Sequence, residues 1–172
     1  EKENKKEDKA QKNAKSQVIV PYVTDTRNIL LFEPNVDLGE GEDRQVFMAT
    51  LQAALKRAIE QYFEIESNEI SIEPLPGNQD RKSLLIYETG EGGAGILREI
   101  SKDPKTYLRA LAREALSLMH YEFKNVKRLK VEDLVDTKES CADGCYSCLL
   151  TYFNQPEHEL IHRRDPKVLE FL

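Results

Sequence analysis

The chain has 172 residues, 40% of them hydrophobic and 33% charged, and a net charge of −6. That length accommodates one core plus a tail rather than two full domains. No apolar run nears the roughly 18 residues that a membrane span needs, and the negative field excludes a protein that gathers nucleic acid over its whole surface.

Residues 1–16, beginning EKENKKEDK, are almost all charged or amide-bearing. They cannot bury enough apolar area to offset the entropy of ordering, so they are expected to form a linker or tail, with the folded domain over residues 17–172. The chain opens at Glu1 without an initiator Met or a signal-peptide pattern, and it reads as a piece of a longer protein. From Gln17 the composition changes. QVIVPYVT and NILLFEP predict two strands, with Pro21 suited to an edge or bulge. Over residues 43–65, Phe47, Leu51, Leu55, Ile59 and Tyr62 recur at helical spacing. EISIEPLP predicts a short strand, GNQD a turn, and SLLIYET a buried strand.

The loop after that strand, GEGGAG, satisfies G-x-G-x-x-G through Gly90, Gly92 and Gly95. A strand-to-helix glycine turn of this kind can cradle a phosphate on its amides. Here SKDP breaks the following helix where a dinucleotide fold needs a second parallel strand, so a tight turn requiring positive φ is the better account. A second helix begins behind Asp103 as cap and Pro104 in its first turn, and buries Leu108, Leu111, Ala115, Leu116 and Met119. RLKVEDLV reads as a weak strand, and DPKVLEFL as a closing helix capped by Asp165. The expected fold is a mixed α+β domain, a small sheet packed on two long helices with a cysteine-bearing knuckle near the C-terminus.

All three cysteines lie within residues 141–148, as Cys141-x3-Cys145-x2-Cys148. An odd number so crowded argues against a disulfide framework and for thiol or metal chemistry in a reducing compartment, which points to the cytoplasm. Three soft sulfurs select zinc or an iron–sulfur cluster over hard cations, and Zn²⁺ wants a fourth ligand. His158, ten residues past Cys148, is the expected fourth ligand; His162, His120, Glu139 and Asp143 are the alternatives. His158, Glu159 and His162 also spell H-E-x-x-H, the helical signature of zinc proteases. A protease needs a third protein ligand and a helix, whereas this stretch is trapped between Pro156 and Asp165-Pro166 and only Glu170 follows as a ligand. A Cys/His nucleophile pair has no local signature here. Basic residues flank the cysteines: Lys124, Lys127, Arg128 and Lys130 before, Arg163 and Arg164 after. They are the expected local contacts to nucleic acid, set against a solvated charged face.

Three features in fixed order, LLIYETGEGGAGIL, an amphipathic helix and CADGCYSCLLTYFNQPEHELIHRRD, resemble the MrfA-type zinc-binding domain. That domain occurs at or near the C-terminus of many bacterial DEAD/DEAH-box superfamily 2 helicases and in associated defence proteins. The resemblance implies Zn²⁺ as cofactor and Cys141, Cys145 and Cys148 as three of its ligands. The family's usual C-x-C-x3-C-x2-C places its first cysteine where this chain has Glu139, which leaves the fourth ligand open. It further implies an accessory, non-catalytic module that buttresses the motor domains of the same parent chain and guides a DNA strand, in DNA repair or anti-phage defence. A module recruiting a partner subunit, and a zinc-dependent hydrolase, are the competing classes.

Overall fold

The computed structural model describes residues 19–124 and 128–172. The expected polar tail lies outside the described residues. The fold is mixed α+β. Strands β1 (Ile29–Phe32), β2 (Ile70–Leu75) and β3 (Ser83–Glu88) form an antiparallel sheet in the order β1-β3-β2. The register pairs Leu30 with Ile86 and Ile72 with Ile86. Alternation then sends Ile70, Ile72, Leu84 and Ile86 to the inner face, where all four are buried.

Helix α1 (Gly41–Tyr62) is the centre of the molecule. Phe47, Met48, Leu51, Ala54, Leu55, Ala58 and Ile59 are all buried, as are Ala49 and Ala53 on its other sides. A helix apolar on most of its circumference must be covered on several sides. Here β2 covers one side and α3 (Pro104–Leu118) another, with Phe63 stacked on Tyr107 at 5.8 Å between their ends. The short helix α4 (Pro166–Phe171) closes the third side, its Phe171 ring set edge-on to Phe32 and Phe47. The predicted caps are in place: Asp103 Oδ1 accepts from Thr106 N, and Asp165 Oδ1 accepts from Val168 N at 2.9 Å. No described helix is long and apolar enough to cross a membrane.

Two sequence expectations change. The stretch predicted as the first strand has no strand pairing over residues 19–24, and Ile19, Val20, Tyr22 and Val23 are exposed. β-branched composition supplies propensity, but a strand also needs a neighbour, and β1 instead takes the edge beside β3. RLKVEDLV forms a 3-10 turn at Val131–Asp133 followed by the two-residue strand β5 (Val135–Asp136), paired with β4 (Tyr121–Glu122).

The glycine loop carries its own anion. Helix α2 (Ile96–Lys102) starts behind Gly95, and the buried carboxylate of Glu88 accepts from Leu97 N at 3.0 Å and from Asn28 Nδ2 at 2.9 Å. Burial opposes ionisation of Glu88, but those bonds and the amides of Gly95 and Ile96 outweigh it and hold its pKa below the ordinary glutamate value. The place a phosphate would take at this helix start is therefore filled. Gly93, at φ +68°, has no room for a Cβ, which would overlap Glu88 Oε2.

Candidate metal centre

The site begins at the end of α3. After Met119 the chain turns through His120 at φ +66°, the left-handed position past a helix end that glycine or asparagine normally fills. A histidine there accepts a backbone cost of order 1 kcal/mol. The turn is locked from outside, because His120 O accepts both Thr137 N and Thr137 Oγ1 at 2.9 Å. Its imidazole points into the cysteine loop, with Nε2 3.3 Å from Cys145 Sγ.

The cysteine loop is wound tightly. Cys148 N donates to Cys145 O at 2.9 Å, and Cys145 N donates to Cys148 Sγ at 3.0 Å, so the backbone folds around the sulfurs. Cys141 Sγ and Cys148 Sγ are 3.8 Å apart, and both residues are buried. The ligand atoms of His120, Cys141, Cys145 and Cys148 all lie within 4.8 Å of one another. A tetrahedral Zn²⁺ with S and N at 2.3 and 2.0–2.1 Å requires edges of about 3.8 Å (S–S) and about 3.6 Å (S–N). The observed 3.8 and 3.3 Å are close to those edges, so the donor set fits zinc in chemistry and in size. Three thiolates and a neutral imidazole around Zn²⁺ would carry one net negative charge. Lys138 Nζ stands 3.7 Å from Cys145 Sγ, placed to offset it.

The thiols differ electrostatically. Burial raises Cys145, but hydrogen bonds with His120 and Cys148 prevail and lower it to about 6. Cys148, more deeply buried, is pushed up to about 12, chiefly by burial. A dication at the centre reverses that penalty, since a coordinating thiol is deprotonated outright.

Arg163 braces the loop. It is fully buried, and its guanidinium donates to Cys141 O, to Met119 O at 3.0 Å, to Lys138 O at 2.9 Å and to both oxygens of Asp136 at 2.7 and 2.8 Å. One side chain thus ties the cysteine loop to the end of α3 and to β5. It also lies 5.4 Å from the centre of the Tyr121 ring. From α1, Arg57 Nε donates to Cys148 O at 3.2 Å.

The expected residues separate accordingly. Cys141, Cys145 and Cys148 come together as proposed from spacing, but the nitrogen among them belongs to His120. His158 is turned away: its Nε2 faces Thr151 O at 3.0 Å and Asn154 Oδ1 at 2.9 Å inside a 3-10 helix, Tyr152–Leu160. His162 lies beyond the end of that helix, with Nε2 on Glu159 O and Nδ1 3.3 Å from Asp143 Oδ1. The tight 3-10 winding, with Pro156 inside it, does not give the i,i+4 face that H-E-x-x-H needs. Among the described residues, the His120 and cysteine cluster is the group of His, Cys, Asp and Glu side chains that could hold a metal ion.

The basic residues divide too. Arg163 cannot meet a strand, since it is buried and fully bonded. Arg164 is held by Asp136 at 2.8 Å and Glu139 O at 3.0 Å. Lys130 pairs with Glu132, while Lys124 and Arg128 are exposed. Lys127 lies outside the described residues. The signal for His120 was present in the sequence: a histidine one residue past Met119, where the apolar stripe of α3 ends and a glycine would be expected.

A family model, the MrfA Zn-binding domain, matches residues 51–149, which span His120 and all three cysteines. No curated protein and no solved structure matches the chain.

Proposed function

Since the chain belongs to the MrfA Zn-binding domain family, which with the cluster of three cysteines and His120 fits zinc as cofactor, we propose that it is the accessory zinc module of a bacterial superfamily 2 DNA helicase. The metal here holds architecture together. Bound there, it would pin the end of α3 and the start of β4 to the cysteine loop, while Arg163 ties in the C-terminal segment, making one unit that buttresses the motor domains of the parent chain. The observation that carries this reading is the origin of the ligands: His120 and Cys141 are separated by 20 intervening residues and belong to different elements. Zinc binding is then folding free energy for everything between them. Service in DNA repair or anti-phage defence belongs to the same proposal, as does a cytoplasmic location.

The test uses the natural protein that carries this domain. ATP hydrolysis stimulated by single-stranded DNA, and weakened when Cys145→Ser removes the metal, is the expected result. A zinc-loaded parent with no nucleic-acid-stimulated ATP hydrolysis would overturn the helicase assignment. The rival reading, a module recruiting a partner subunit, draws on a separate observation: Ile19, Val20, Tyr22 and Val23 are 76–95% exposed, ahead of an edge strand. A partner retained by the parent and lost on Val20→Lys and Val23→Lys would favour it.

A further inference from the structure

Although the chain is acidic overall, residues 98–130 hold nine Lys and Arg against four Asp and Glu. The pairing of the cations sharpens this asymmetry. Among the described residues, Arg98, Lys105, Arg109, Lys124 and Arg128 have no carboxylate within ion-pair distance. Lys138 faces Cys145, Arg113 lies over Phe123, and every other described Lys or Arg is paired with an Asp or Glu.

Two of the unpaired cations lie on α3 and the other three on segments next to it. Lys105 and Arg109 are one helical turn apart, about 6 Å along the axis, and both are exposed. Phe123, 5.7 Å beneath the Arg113 guanidinium, brings its neighbour Lys124 to the same helix. Arg128 lines a cavity of about 820 Å³ together with Leu116, near the C-terminal end of α3. Arg98 projects from α2, which packs on α3.

We propose that this line of cations, led by Lys105 and Arg109, is a track for the phosphate backbone of a nucleic acid. A narrow strand meets only the track. At about 0.1 M salt the Debye length is about 10 Å, so the acidic remainder of the domain is screened from a strand lying along α3. A broad anionic membrane would face that acidic surface too, which disfavours a lipid partner. The track differs from the contacts expected beside the cysteines, because Arg163 and Arg164 are committed to Asp136. It rests on the reading of the domain as part of a DNA-handling protein, and names the surface that does the handling.

The experiment is an anisotropy titration of the zinc-loaded chain with a labelled single-stranded oligonucleotide and with its duplex, between 50 and 200 mM salt. For single strands the slope of log K against log salt is about −0.7 per phosphate neutralised, so the double variant Lys105→Ala, Arg109→Ala should flatten it by about 1.4. At about 0.1 M salt this is an affinity loss on the order of 25-fold. Both residues are exposed, so zinc content should stay at the wild-type level. Lys82→Ala, which removes a cation already paired with Asp80, should leave binding unchanged. Single strand and duplex arms distinguish the two sources of the same phosphate chemistry, and binding of either through the track supports the proposal. It is overturned if the double variant binds like wild type, if Lys82→Ala weakens binding equally, or if anionic vesicles or poly-glutamate bind and neither nucleic acid does. An unchanged titration would leave the ATP hydrolysis of the parent untouched, so this proposal and the helicase reading fail separately.

Discussion

Arg163 grips Asp136 through both carboxylate oxygens, at 2.7 and 2.8 Å, from a position with no solvent exposure. The pair binds the segment after the 3-10 helix to β5, and the same guanidinium reaches the backbone of Cys141 and Met119. The bracing of the metal loop is thus itself an ionic contact. Asp136 keeps Arg164 when Arg163 is removed, so the cost falls on the buried carbonyls of Cys141, Met119 and Lys138 that lose their donor, each about 1–3 kcal/mol.

Arg163→Met should therefore lower stability by about 3 kcal/mol or more, read by urea unfolding of the zinc-loaded chain, and weaken zinc retention with it. Arg163→Lys should rescue little, since a single ammonium cannot span Asp136, Met119 O and Cys141 O together. A lysine variant as stable as wild type would refute the bracing role.

Glu88 offers a prediction in pH. Its folded pKa lies below its unfolded value, so its contribution is fully present above the unfolded pKa and is lost as pH falls through the folded one. Glu88→Gln should thus be less stable than wild type by about 1–3 kcal/mol at neutral pH, through loss of charge-assisted bonds to Asn28 and the start of α2. The gap between the two proteins should stay constant above about pH 5 and close below the ordinary glutamate range of about 4. A gap that widens on acidification would contradict the assigned direction.

The H-E-x-x-H string should be silent toward metal. His162→Ala and Glu159→Gln are expected to keep zinc content at the wild-type level, measured by metal analysis after dialysis. His158→Ala should also keep the metal, while loosening the 3-10 helix by about 1 kcal/mol through the lost bonds to Thr151 and Asn154. Zinc loss in both histidine variants matching that in Cys145→Ser would restore a two-histidine site, and loss in His158→Ala alone would make His158 the fourth ligand.

Much of this was legible from local chemistry. The stripe from Phe47 to Ile59, the caps at Asp103 and Asp165, and the alternation in SLLIYET act over a few residues and read directly from order along the chain. The close spacing of Cys141, Cys145 and Cys148 likewise marks the loop. What escaped depends on contacts distant in sequence. His120 reaches Cys145 across 25 positions through a left-handed turn, whereas His158, nearer in sequence, is claimed by Asn154. Arg163 reads as a surface cation until Asp136 is found beside it, 27 positions upstream. The VIVPY stretch has strand composition but no partner among the described residues.

The identity of the fourth ligand is the point on which the metal centre turns. Zinc K-edge X-ray absorption of the metal-loaded chain, compared with His120→Ala and His158→Ala, measures it most directly. About one zinc per chain is expected, with three sulfurs near 2.3 Å and one nitrogen near 2.0 Å. His120→Ala should lose that nitrogen, with affinity falling by more than about 100-fold, the upper range for changes outside the ligand shell. The spectrum of His158→Ala should match wild type. A nitrogen that survives His120→Ala and disappears with His158→Ala would contradict the site described here.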